Sequence, residues 1–75
     1  MKERVLKVLA EVNEDILHFE GSSLIDAGLL DSFQVIDLVG MLEEEFDIEI
    51  DAELVIVENF VSVDAITDMV SKILS

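Results

Sequence analysis

Between Lys7 and Lys72 the chain carries 17 carboxylates and not one Lys or Arg, yet 52% of its 75 residues are apolar. No other feature constrains the fold as strongly. A net charge of −14 beside a mean hydropathy of +0.54 is compatible with a packed core only if acids and apolar residues are segregated onto different faces of amphipathic elements. That apolar content also argues for a folded chain rather than a disordered one. At this length a single domain over residues 1–75 is expected, one that buries only about 60% of the surface its unfolded chain exposes.

The same field restricts partners. It repels nucleic acid and anionic lipid and attracts basic surfaces. No apolar run approaches the roughly 18 residues that cross a bilayer, and Lys2, Arg4 and Lys7 are not followed by a signal-peptide core. A cytoplasmic monomer without membrane insertion is therefore expected. The chain has no Cys, Pro, Trp or Tyr, so disulfide staples and thiol nucleophiles are both excluded. Any thiol chemistry has to use an added group.

Apolar periodicity predicts three main helices. Val5, Leu6, Val8, Leu9 and Val12 mark one face of a first helix from Lys2 to about Val12. A second runs from about Ser32 to Phe46, with Val35, Leu38, Val39, Leu42 and Phe46 inward. A third is capped by Ser62, carries Asp64 in its first turn, and turns Val63, Ile66, Met69, Val70, Ile73 and Leu74 to the core. Asn13 to Leu30 reads as a long loop pinned by Ile16, Leu17, Phe19, Leu24, Ile25 and Leu29. Within it, Ser23-Leu24-Ile25-Asp26 resembles a capping pattern for a short helical turn ending at Gly28. Asp47 to Asp51 alternates like a strand and Leu54 to Val57 is β-branched, but no third strand is evident and an isolated pair is marginal. A loop and a short helix near Val57 to Phe60 is preferred, giving an all-α bundle of three main helices plus one short one.

Ser32 is the residue the pattern singles out. Gly28 can take the positive φ that ends one turn and Asp31 can cap the next, so Ser32 falls in the first helical turn. Backbone N–H groups there lack intrahelical partners and the dipole is positive, which would stabilise a phosphate ester. The opposite face of this helix carries Phe33, Asp37, Gly40 and Glu44, with Ile36 at its margin. Exposed Phe and Ile beside carboxylates suit a contact surface, the alternative being that both pack under the long loop. At the other end, Glu43-Glu44-Glu45-Phe46-Asp47 puts negative charge on the negative end of the dipole, an expected mismatch.

Enzymatic chemistry finds little support. His18 is the only His, and Ser32 lacks the Gly-x-Ser-x-Gly elbow of a hydrolase nucleophile. Asp47, Glu49, Asp51, Glu53 and Glu58 fall at positions 1, 3, 5, 7 and 12 of an EF-hand register, but Ala52 stands where the loop needs Gly. No specific metal site is expected, only weak divalent screening at Glu44, Asp47, Glu49 and Asp51.

Three segments carry a resemblance. Leu29-Leu30-Asp31-Ser32-Phe33, Leu42-Glu43-Glu44-Glu45-Phe46-Asp47-Ile48-Glu49-Ile50 and Glu58-Asn59-Phe60-Val61-Ser62-Val63-Asp64-Ala65-Ile66 look like the acyl carrier protein family, in the right order and over nearly the whole chain. The resemblance implies a small four-helix, non-catalytic carrier. Its Ser32, flanked by Asp31, would receive 4'-phosphopantetheine from coenzyme A through a phosphopantetheinyl transferase and carry acyl groups as thioesters for fatty-acid or related biosynthesis. It further implies that Asp31, Phe33, Ile36, Asp37, Gly40, Glu43 and Glu44 face partner enzymes with basic docking surfaces. The run Gly28-Leu29-Leu30-Asp31-Ser32-Phe33 looks more like D-alanyl carriers and stand-alone carriers of specialised pathways, so an aminoacyl carrier loaded by an adenylating ligase is the alternative. An unmodified acidic adaptor or calcium-binding module is the alternative of another class.

Overall fold

The computed structural model describes residues 1–75. Four helices surround one core: α1 (Lys2–Val12), α2 (Ser32–Phe46), α3 (Val57–Phe60) and α4 (Val63–Leu74). There are no strands. The alternating Asp47–Asp51 stretch is a loop leading into a 3₁₀ turn at Ala52–Leu54. No helix is long and apolar enough to cross a membrane.

Each long helix buries one stripe. Val5, Val8 and Leu9 of α1, Leu38, Leu42 and Phe46 of α2, and Ile66, Met69 and Val70 of α4 meet in a cluster of 14 buried residues. The spacings of three and four place these side chains on one face of each helix. Ser62 closes the N-terminus of α4 by accepting from the Ala65 N–H at 3.0 Å. This satisfies one of the donors that a helix start leaves unpaired.

The long loop is more ordered than its composition suggests. Asn13 accepts from the Asp15 N–H at 3.0 Å and starts a 3₁₀ turn over Glu14–His18. Ser23 accepts from the Asp26 N–H at 3.1 Å, and Gly28 takes φ +79°. The expected helical turn between them forms as a single turn, with the Ala27 N–H reaching the Ser23 carbonyl and the Gly28 N–H the Ile25 carbonyl, both at 3.1 Å. Leu24, Leu30 and Ile16 anchor this loop in the core.

Two side chains assigned to the core lie outside it. Leu17 is 50% exposed and Leu74 46% exposed. In a 3₁₀ turn, successive residues are about 120° apart, so with Ile16 buried its neighbour Leu17 points away. In α4 the step is about 100°, and Ile73, which packs against the core, turns Leu74 outward. Leu30, 1% exposed, takes a core place that its position beside the capping Asp31 had concealed.

The acidic end of α2 is not left opposed to its dipole. Arg4 of α1 donates from Nη2 to the Glu45 carbonyl at 2.6 Å and from Nε to the Glu45 carboxylate at 3.0 Å. Its guanidinium also lies 4.4 Å from the Phe46 ring centroid. The helix then closes through Asp47 at φ 54°, whose N–H reaches the Glu43 carbonyl. The mismatch read from the local charges is offset by a cation 41 residues away in sequence.

Candidate functional site

At the other end of α2 the chain is held by its own short-range bonds. Asp31 accepts from the Gln34 N–H at 2.8 Å, while Gln34 Oε1 accepts from the Asp31 N–H at 3.0 Å, a reciprocal capping box. The Asp31 carbonyl takes the first helical bond, from Val35 N–H at 2.9 Å. Ser32 follows as the first residue of α2, exposed to solvent. Its hydroxyl takes part in no hydrogen bond within the protein, and the N–H groups of Ser32 and Phe33 find no acceptor there. A free hydroxyl beside free N–H donors at the positive end of a 15-residue helix is a setting that favours an anionic ester.

Ser32 also lies on the rim of a cleft of about 550 Å³. Ile25 and Leu30 from the long loop, Val35 and Ile36 from α2, and Val55 and Phe60 from the α3 region form most of its wall. The cleft is open to solvent and mostly apolar. Such a space accommodates an aliphatic chain better than a charged one.

The outer face of α2 is uncovered. Phe33 is 81% exposed and Ile36 65% exposed, with Asp37, Gly40 and Glu44 exposed beside them. Neither Phe33 nor Ile36 packs under the long loop. Nothing stands within 4 Å of where a Gly40 side chain would begin. Glu43 differs from its neighbours: it is half-buried and its carboxylate accepts from the Ile50 N–H at 2.8 Å, tying the following loop to the helix.

His18 is exposed in the 3₁₀ turn. The acids of the EF-hand register do not converge, since no group of three or more His, Asp or Glu side chains is placed to hold a metal ion. Sequence reading overlooked Gln34, although Asp31-x-x-Gln34 is a legible capping-box signature. It also overlooked Ile56 and Val57, which are 47% and 58% exposed and line the cleft opposite Ile36.

No solved structure matches this chain significantly. A family model described as "phosphopantetheine attachment site" matches residues 2–70. Covering nearly all of a four-helix chain with an open serine at the head of α2, that match places the protein in the phosphopantetheine-binding carrier family, whose domain is the attachment site for 4'-phosphopantetheine.

Proposed function

We propose that Ser32 is the attachment residue and that the cargo is an apolar acyl chain, carried for fatty-acid or related acyl biosynthesis in the cytoplasm. The observation that carries this reading is the exposed, unbonded Ser32 hydroxyl on the rim of an apolar cleft. The residues fit the group. Ser32 would supply the ester oxygen, the free N–H groups of Ser32 and Phe33 would favour its phosphate, and the apolar cleft would be open to the cargo. When bound, the group supplies a terminal thiol on which acyl groups ride as thioesters, in a chain that has no Cys.

The protein's part is presentation, not catalysis. Ser32 would give its hydroxyl proton to a base of the phosphopantetheinyl transferase and form the O–P bond as the pyrophosphate bond of coenzyme A breaks and adenosine 3',5'-bisphosphate leaves. Phe33, Ile36, Asp37, Gly40 and Glu44 form the face that this and later basic partners meet, with Asp31 at its edge. Glu43 supports that face through its bond to Ile50.

Incubation with coenzyme A and a broad-specificity transferase, followed by intact-mass and peptide mapping, should add one phosphopantetheinyl group at Ser32 and none to Ser32→Ala. Modification at Ser23 or Ser62 instead would overturn the assignment. Loading the modified protein with an octanoyl or an alanyl group then separates the cargo readings. Octanoyl should shift the NMR signals of Ile25, Val35 and Val55 while alanyl leaves them in place. Equal, small shifts for both would favour the aminoacyl carrier that the Gly28-Leu29-Leu30-Asp31-Ser32-Phe33 run resembles.

A further inference from the structure

We infer that Gln34 is a positioning residue for modification of Ser32, acting through Asp31. This rests on the reading of Ser32 as the attachment residue and adds to it a side chain that touches neither the serine nor the incoming group.

Ser32 has no side-chain anchor of its own, so its backbone must be held by its neighbours. On one side Leu30 is buried, and its N–H and that of Leu29 both reach the Leu24 carbonyl, at 3.3 and 2.9 Å. From the other side, Gln34 and Val35 fix Asp31 through three bonds: its carboxylate to the Gln34 N–H, its carbonyl to the Val35 N–H, and its N–H to Gln34 Oε1. Only the last needs a side chain other than that of Asp31.

Without the Gln34 amide oxygen, the Asp31 N–H loses its only protein acceptor at an exposed position. The first turn then has one fewer constraint against fraying, which is where helices open most readily. A serine spread over several backbone conformers presents its oxygen in the productive geometry for a smaller fraction of encounters, and misplacement of a nucleophile lowers the rate of the chemical step. Gln34 is half-buried and stands off the Phe33–Asp37–Gly40 face, so its loss should leave docking intact.

The test compares Gln34→Ala, Gln34→Glu and wild type as unmodified carriers, with coenzyme A and a broad-specificity transferase. Rate, KM for the carrier and the modified residue are measured together. Gln34→Ala should lower kcat by roughly three- to tenfold, the size of one exposed capping bond, with KM nearly unchanged. Amide exchange at Asp31 and Ser32 should rise in parallel. Gln34→Glu keeps an acceptor oxygen and should restore both kcat and protection. Three results would overturn the role of Gln34: an unchanged kcat in Gln34→Ala, a loss confined to KM, or no rescue by Gln34→Glu. A group found on another residue in wild type would instead end the Ser32 reading itself.

Discussion

The two ends of α2 solve opposite electrostatic problems by opposite means. At the N-terminus the dipole is positive, the cap is built from Asp31 and Gln34 three residues apart, and the N–H groups of Ser32 and Phe33 remain free. At the C-terminus the dipole is negative, the local side chains are Glu43, Glu44 and Glu45, and the end is tied off from a distance by Arg4 and closed by the Glu43–Ile50 bond. The favourable end is thus left open for an anion. The unfavourable end takes up one of only four Lys or Arg residues in the chain. A helix can present one terminus for chemistry when the other is fastened to the rest of the fold.

The largest expected effect separates function from packing along this helix. Leu42, fully buried between the two ends, should lose about 2 to 5 kcal/mol of stability on substitution by Ala, enough to unfold much of a domain this small. Phe33→Ala, at 81% exposure, should change stability by no more than about 0.5 kcal/mol while slowing transferase or ligase turnover. Denaturant melts alongside turnover assays decide this. A Leu42-sized loss at Phe33 would place Phe33 in the core and remove the outer face from consideration.

Arg4→Ala tests the fastened end. The variant loses a charged hydrogen bond to a main-chain carbonyl, a half-exposed ion pair and a cation–π contact. Discounted for solvent exposure, that should lower stability by about 1 to 2 kcal/mol. Modification at Ser32 should proceed at the wild-type rate. Coupled losses of stability and modification would mean that the two ends are not independent. Arg4→Lys should recover only part of the stability, since an ammonium cannot serve the carbonyl, the carboxylate and the ring together.

Asp47→Gly sharpens the same end from the other direction. Asp47 is the only non-glycine residue with positive φ, and it adds a carboxylate to the negative terminus. Glycine adopts this conformation without strain, so the variant should gain about 0.5 to 1 kcal/mol. A loss would show that the carboxylate supports the loop in a way its backbone geometry does not reveal.

The smallest effect is the response to salt. Raising NaCl from about 0.01 M to about 0.1 M shortens the screening length from about 30 Å to about 10 Å, which relieves repulsion among the 17 carboxylates between Lys7 and Lys72. The melting temperature should rise, and less steeply in wild type than in Arg4→Ala, because screening also weakens the Arg4–Glu45 pair. Affinity for a basic partner should fall over the same range. A melting temperature that stays flat would mean that the carboxylates are too well spread or hydrated to strain the fold.

Much of the fold was legible because its signals are local. Apolar spacing marked α1, α2 and α4, Ser62 and Asp31 announced their helices as caps, and Gly28 announced a positive φ; each depends on residues within a few positions of one another. The same locality led to errors at Leu17 and Leu74. Hydropathy identifies an apolar residue, but the turn type and the reach of the core decide whether it is buried.

At the site, the sequence determined which serine begins the acidic helix, that Asp31 caps it and which way its outer face points, since helix geometry converts order along the chain into direction. Only the tertiary structure decided what depends on segments far apart in sequence. The cleft exists because the long loop, α2, the residues before α3 and α3 itself line a space that none of them encodes alone. The acidic end of α2 is tolerated because Arg4 reaches it across 41 positions, and Glu43 ties the following loop to the helix because Ile50 returns to meet it. Periodicity and capping act over one or two helical turns; enclosure and charge compensation act across whatever the folded chain brings within a few ångströms.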